Sequence, residues 1–206
     1  MEKIVTFALL REGTSDEGLV PHLGELIVRA GAHAVTGSPR GYKGTTAERL
    51  SQVMAEETSV DIVFVHRDAD TRDSTHRRLE VSHAVQVTDC QIPWIAVVPI
   101  QELEAWLILD EAEIRRVAGK PSGRRPLDLP KVNAVESTAN PKEILKHALI
   151  EAGELTGRRR EREKSAFSQR RRTLMDRLDI DGPVCQLSGW RQLTEDINQL
   201  AQELNW

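Results

Sequence analysis

The sequence predicts an α/β fold in which a four-stranded, mainly parallel sheet carries helices on both faces and continues into a helical C-terminal extension. In the first hundred residues, short β-branched apolar runs alternate with amphipathic segments, a pattern typical of βαβ units. After Pro99 the spacing of apolar residues becomes helical throughout. A chain of 206 residues is long enough for one such domain with an appendage, and not for a large multidomain assembly.

Four strands are expected in this first half, at Ile4–Leu10, Ala32–Thr36, Val60–His66 and Trp94–Pro99. The first and third are apolar on both faces, which indicates central strands that are covered by helices on each side. Helical spacing over residues 17–30, 46–57 and 75–88 supplies the crossover connections. The predicted organisation is an α/β core over residues 1–110 and a helical extension over residues 111–206.

Composition excludes several classes of protein. No stretch approaches the roughly 18 uninterrupted apolar residues of a membrane-spanning helix, and the first residues lack the apolar core of a signal peptide. We therefore expect a cytoplasmic protein without a membrane partner. Cys90 and Cys185 stand far apart, which excludes a disulfide framework, a zinc finger and a CxxC dithiol.

Basic residues are concentrated in one segment although the net charge is −4. Residues 157–177 contain nine Arg or Lys against three acids. Two interpretations stay open, a solvated helix face with local ion pairs and a contact to nucleic-acid phosphates. The second would use Arg158, Arg159, Arg160, Arg170, Arg171 and Arg172. The glycine-rich segment 37–46 offers Arg40 and Lys43 beside a helix start, a further candidate phosphate contact.

Acidic residues follow three of the predicted strands. Glu12 follows the first strand, Asp68 and Asp70 the third, and Glu102 and Glu104 the fourth. Because ligands of open parallel sheets gather at the carboxyl ends of the strands, these acids mark a candidate site. Carboxylates crowded together raise each other's pKa, and a divalent cation removes that conflict. Oxygen donors without a Cys or His cluster favour Mg²⁺ or Mn²⁺.

The acids differ in how well a purely structural role explains them. Glu12, Asp68 and Asp70 directly follow buried strands and have no helix turn to cap, so a functional role is favoured. An extended backbone would place Asp68 and Asp70 on one side. Taken alone, Asp16 is better explained as a helix N-cap, and the glutamates after the fourth strand are compatible with a favourable helix dipole.

The order of these motifs resembles the Toprim fold, the metal-binding catalytic domain of type IA and type II topoisomerases, bacterial-type primases, recombination mediators and OLD-family nucleases. Glu12-Gly13 looks like the Glu motif of that fold, and Asp68-Ala69-Asp70 looks like its DxD motif. The segments EGTSD, VHRDAD, VVPIQELEAWLILD and NPKEIL together are similar to a small Toprim-like family that is encoded near ATPases in prokaryotic genomes, often in mobile-element or phage defence settings. The resemblance covers most of residues 1–150.

This resemblance implies a metal-dependent nuclease or a related phosphodiester-processing hydrolase. It implies metal binding by Glu12, Asp16, Asp68 and Asp70, with Glu102 or Glu104 completing the site. Asp16 matches the acid that lies four positions after the first glutamate of OLD-type enzymes, and Glu12 is alternatively a general base. Lys142, in Asn140-Pro141-Lys142, is either a phosphate contact or an exposed lysine at a helix start.

The expected partners are nucleic acid and an ATPase, and homo-oligomerisation stays open. The main alternative is a catalytically silent Toprim-like subunit that docks on such a partner. A metal-dependent phosphatase or phosphotransferase of small substrates, with an Asp of the DxD motif as its nucleophile, is less favoured. The Thr71-Arg72 that follows Asp70 does not give the DxDx[TV] pattern, and Glu12 is left without a role. The only tyrosine, Tyr42, lies away from the motifs, which argues against topoisomerase-type strand passage.

Overall fold

A computed structural model describes residues 4–56 and 59–206, without the side chains of residues 162–164. It contains one sheet of four parallel strands in the order β2-β1-β3-β4. The strands are β1 (Ile4–Leu10), β2 (Ala34–Arg40), β3 (Ile62–His66) and β4 (Trp94–Val97). Since all four run in one direction, their carboxyl ends form a single edge, which we call the C-terminal edge of the sheet.

Helices cover both faces of the sheet, as the sequence predicts. One face buries Ala8, Leu10, Val63 and Val65 against α2 (Thr46–Glu56) and α3 (Thr75–Val87). The other face buries Phe7 and its neighbours against α1 (Leu19–Arg29) and α10 (Ser188–Leu204). The expected α/β class with central first and third strands is confirmed.

The second half of the described chain is helical and shares its hydrophobic core with the sheet. Trp106 and Trp190 meet edge to face with their ring centroids 5.0 Å apart, which ties the segment after β4 to α10. The remaining helices are α4 (Glu104–Leu107), α5 (Glu111–Val117), α6 (Val132–Val135), α7 (Pro141–Ala152), α8 (Gly157–Ser165) and α9 (Phe167–Asp176). Two short 3-10 helices lie at Thr14–Gly18 and Pro183–Gln186. In the described part of the chain, no helix has the length and apolar character needed to cross a bilayer.

Strand β2 differs most from the sequence prediction. Strand β2 continues to Arg40 through glycine and proline, because it is an edge strand that pairs only with β1. Gly37 is needed there, since a Cβ atom would lie 2.1 Å from the ring of Phe7. The first half of the predicted loop over residues 37–46 is therefore strand.

Candidate functional site

The C-terminal edge brings together carboxylates that follow β1, β3 and β4. The backbone N–H of Asp68 donates to Glu12 Oε2 at 3.0 Å. The backbone N–H of Leu103 donates to Asp68 Oδ1 at 2.9 Å. Asp68 is thus held between the chain segments that leave β1 and β4. Arg67 adds an ion pair at 3.0 Å to Glu12 Oε1.

His66, the last residue of β3, lies between two of the acids and is fully buried. Its Nδ1 is 3.4 Å from Asp16 Oδ2, and its Nε2 is 3.4 Å from Asp68 Oδ1. Burial alone would lower the pKa of His66, but the two carboxylates outweigh it and raise the pKa to about 10. His66 is therefore an imidazolium at neutral pH and supplies a positive charge beneath the edge.

Arg171 of α9 supplies a second buried positive charge. Its Nε donates to Glu104 Oε1 at 2.7 Å, and its Nη2 donates to Asp16 Oδ1 at 3.1 Å. Asp16, Glu104 and Arg171 are exposed by only 4%, 3% and 5%. We call these three residues the buried triad. Because both of its carboxylate contacts are internal to the chain, Arg171 is engaged in this triad and is not a phosphate contact, so that part of the sequence prediction is wrong.

The predicted metal ligands Asp16 and Glu104 therefore face a guanidinium from their own chain. Burial opposes ionisation of Asp16, but His66, the Gly13 N–H and Arg171 together hold its pKa well below the usual range. The Gly13 N–H donates to Asp16 Oδ2 at 2.7 Å and closes the turn into the 3-10 helix. Asp16 has both the capping and the charge-pairing role, and no metal ion is needed to explain its position.

Asp70 turns away from Asp68. It has a left-handed backbone with φ of 57°, and its N–H donates to the carbonyl of Gln101. Its carboxylate is 60% exposed and pairs with Arg77 of α3 at 2.6 Å. The expectation that an extended backbone places Asp68 and Asp70 on one side is therefore wrong at this position.

Glu102 is the acid whose charge is least compensated. Burial raises its pKa, and the charges of Glu104 and Asp68 raise it further. The backbone N–H of Lys142 opposes this shift by donating to Glu102 Oε2 at 3.0 Å from the first turn of α7. The exposed side chain of Lys142 makes no ion pair with the described residues.

The donor chemistry of this edge fits a hard divalent cation. In the described chain, no group of three or more His, Cys, Asp or Glu side chains is already arranged as metal ligands. Asp68 and Glu102, however, each use one carboxylate oxygen for a backbone N–H and keep the other uncommitted among the described contacts. Burial is the main reason that the pKa of Glu102 is raised, and the charges of Glu104 and Asp68 add to it, so a bound cation would offset both effects.

The basic residues predicted to contact nucleic acid are dispersed. Arg158, Arg159 and Arg172 are exposed. Arg160 pairs with Glu151, and Arg170 donates to the carbonyl of Val117. Arg40 ends β2, and Lys43 lies in the exposed loop before α2. The role of these residues as phosphate contacts therefore stays a prediction.

Four arginines near the edge were missed by sequence reasoning, namely Arg11, Arg49, Arg67 and Arg77. Arg11 pairs with Glu17 at 3.1 Å, and Arg67 and Arg77 share Glu80. Arg49 is buried without an ion pair in the described chain. Two of the four could have been found, because Arg11 and Arg67 directly precede the acids Glu12 and Asp68.

Comparisons with protein-family models, curated proteins and solved structures found no match to this chain.

Proposed function

We propose that the chain is a Mg²⁺- or Mn²⁺-dependent nuclease of the Toprim type that acts in the cytoplasm. One observation carries the proposal: Glu12, Asp68 and Glu102 follow three parallel strands and converge at the C-terminal edge, where Glu102 is under like-charge repulsion. The order of the Glu and DxD motifs, which resembles the Toprim fold, supports the same assignment. Nucleic acid is then the substrate class, and an ATPase is a candidate partner.

Asp68 and Glu102 would hold the cation, with Glu12 next to Asp68. A bound Mg²⁺ or Mn²⁺ supplies charge stabilisation at a phosphate and lowers the pKa of water. The chain's own contribution is rigidity, because backbone N–H groups from three segments fix the three carboxylates. His66 adds a buried positive charge beside Asp68. Such fixed polar groups need little reorganisation during a reaction.

A catalytically silent subunit is the second candidate, and a specific observation favours it. The chain neutralises most of its own acids at the edge: Arg67 pairs with Glu12, Arg77 with Asp70, and Arg171 with Asp16 and Glu104. Among the described acids that were predicted to bind metal, this leaves Asp68 and Glu102 without an arginine. If those two residues do not bind a cation, a docking role on an ATPase accounts better for the protein.

Calorimetric titration with Mg²⁺ and with Mn²⁺ separates these candidates. The wild-type chain is compared with Asp68→Asn and Glu102→Gln, which preserve shape and a hydrogen-bond acceptor while removing charge. Glu203→Gln is the matched control, because Glu203 is an exposed acid on α10. Supercoiled plasmid, single-stranded DNA and RNA are incubated with the same samples to detect cleavage.

The nuclease proposal expects metal binding in the wild type and the control, and at least about tenfold weaker binding in both edge variants, with cleavage lost in parallel. Absence of metal binding by the wild type would reject the nuclease and leave the silent subunit. Cleavage that persists in Asp68→Asn would place the chemistry elsewhere and reject the assigned site.

A further inference from the structure

Arg49 is a buried cation that makes no ion pair with the described residues. It lies in the first turn of α2 and is 6% exposed. Its Nη2 donates to the backbone carbonyl of Arg11, and its Nε has no hydrogen-bond partner among residues 4–56 and 59–206. In the described part of the chain, no carboxylate lies within ion-pair distance of its guanidinium. Because a buried charge is costly when nothing compensates it, this arrangement requires an explanation.

Two further arginines increase the positive charge around Arg49. Burial lowers the pKa of Arg49, and the charges of Arg67 and Arg11 lower it further, whereas the charges of Glu12 and Glu80 act in the opposite direction. Arg67 Nη1 lies 3.2 Å from Thr46 Oγ1 at the start of α2. The three guanidinium groups therefore form one group at the C-terminal edge, which we call the arginine cluster.

The loop before α2 lies beside the arginine cluster. Residues 43–45 of this loop are exposed. A Cβ atom on Gly41 would lie 2.5 Å from Arg11 Nη2, so the guanidinium of Arg11 lies against bare backbone there. The N-terminus of the 11-residue helix α2 adds partial positive charge at the same place.

We propose that Arg49, together with Arg11 and Arg67, binds a phosphate group at the N-terminus of α2. Guanidinium groups bind phosphate oxygens with paired, charge-assisted hydrogen bonds, and such a ligand compensates the charge of Arg49, which the described residues leave without an ion pair. The cluster adjoins Glu12 through Arg67. We take this phosphate to belong to a nucleic-acid strand rather than to a free phosphate compound, and this step alone rests on the proposed function.

Phosphate-dependent thermal unfolding tests the cluster without any catalytic step. Melting temperatures are measured in EDTA, in chloride and in inorganic phosphate at matched ionic strength. The variant is Arg49→Met, which keeps the aliphatic stem and removes the charge. The control is Arg191→Met, because Arg191 is an exposed arginine on α10 without an ion pair among the described residues. The control corrects for the general stabilisation of folded proteins by phosphate salts.

We expect phosphate to raise the melting temperature of the wild type and the control more than that of Arg49→Met, with an affinity for phosphate at least about tenfold lower in the variant. Arg11→Met, at a half-buried position, provides a second variant should Arg49→Met fold poorly, and it is expected to weaken phosphate binding as well. Equal phosphate responses of the wild type, Arg49→Met and Arg11→Met would overturn the proposal.

Fluorescence anisotropy with labelled single-stranded DNA and RNA, again in EDTA, identifies the source of the phosphate. Weaker oligonucleotide binding by Arg49→Met supports a nucleic-acid strand. Phosphate binding that depends on Arg49, without any oligonucleotide binding, supports the cluster as a site for a free phosphate compound. That result would contradict nucleic acid as the substrate class in the proposed function. Loss of metal binding or cleavage elsewhere leaves these metal-free results unaffected, so the two proposals fail separately.

Discussion

Arg171 and Arg49 are both buried arginines close to the C-terminal edge, and their surroundings are opposite. Arg171 contacts two carboxylates of the buried triad, at 2.7 and 3.1 Å. Arg49 contacts a carbonyl and stands beside two more arginines. The chain neutralises Arg171 with its own carboxylates, whereas we propose that the charge of Arg49 is neutralised by a bound phosphate. Burial of a charge alone does not distinguish a structural residue from a binding residue, but the presence of its counter-ion does.

The largest expected effect comes from Arg171→Met. Removing this guanidinium leaves Asp16 and Glu104 buried without their shared partner, which we expect to reduce the free energy of unfolding by about 3–5 kcal/mol. Urea denaturation measures the change. Arg172→Met is the matched control, since Arg172 is 61% exposed and its ion pair with Glu17 is long, at 4.0 Å. This substitution should change stability by less than about 0.5 kcal/mol. Similar effects of the two substitutions would contradict the triad's role.

His66 is the second positive charge next to Asp16 of the buried triad, and the pH dependence of stability tests its contribution. Because the pKa of His66 is raised from 6.5 to about 10 in the folded chain, its contribution is complete below pH 6.5 and is lost as the pH rises towards 10. We expect a loss of about 2–4 kcal/mol over this range. The lowered pKa of Asp16 has the opposite sign, so its contribution is lost only as the pH falls below 3.8.

Denaturation series from pH 2 to pH 10 follow the alkaline loss and the onset of the acid loss. The alkaline loss should be much smaller in His66→Gln, whereas His83→Gln, at an exposed position on α3, should behave as the wild type does. An unchanged alkaline slope in His66→Gln would mean that His66 is not the group that titrates.

Arg49→Met is expected to change stability much less than Arg171→Met does. The substitution loses a hydrogen bond to Arg11 but also removes an uncompensated buried charge. In phosphate-free buffer we expect the free energy of unfolding to stay within about 1 kcal/mol of the wild type. A loss as large as that of Arg171→Met would show that the chain already compensates Arg49, and the contrast between the two arginines would disappear.

The smallest expected effect is that of Glu102→Gln. Glu102 carries a charge that burial, Glu104 and Asp68 oppose, and glutamine still accepts from the Lys142 N–H. Without a divalent cation we expect the variant to be slightly more stable, by about 0.5 kcal/mol. In excess Mg²⁺ the order should reverse, because only the wild type gains stability from binding. The same stability difference with and without Mg²⁺ would argue against Glu102 as a ligand.

The fold and the position of the candidate site could be predicted because local patterns determine them. Apolar strands that end in Glu12 and Asp68 place those acids at one edge once the sheet is parallel. The fate of Asp70 could not be predicted, because its positive φ depends on a backbone contact to Gln101 in another loop. The partner of Asp16 and Glu104 was missed for a similar reason, since Arg171 lies far away in the chain and its run of arginines reads as a solvated surface.

The buried triad also bears on the order in which the molecule is assembled. Asp16 and Arg171 are 155 positions apart, and Arg171 joins the segments after β1 and β4 from the helical half. During synthesis the sheet strands and their acids leave the ribosome well before α9 does. Until α9 docks, Asp16 and Glu104 lack the guanidinium that neutralises them. The C-terminal edge is therefore expected to be among the last regions to become ordered, so a nascent chain would not present a finished site before its helical half has been made.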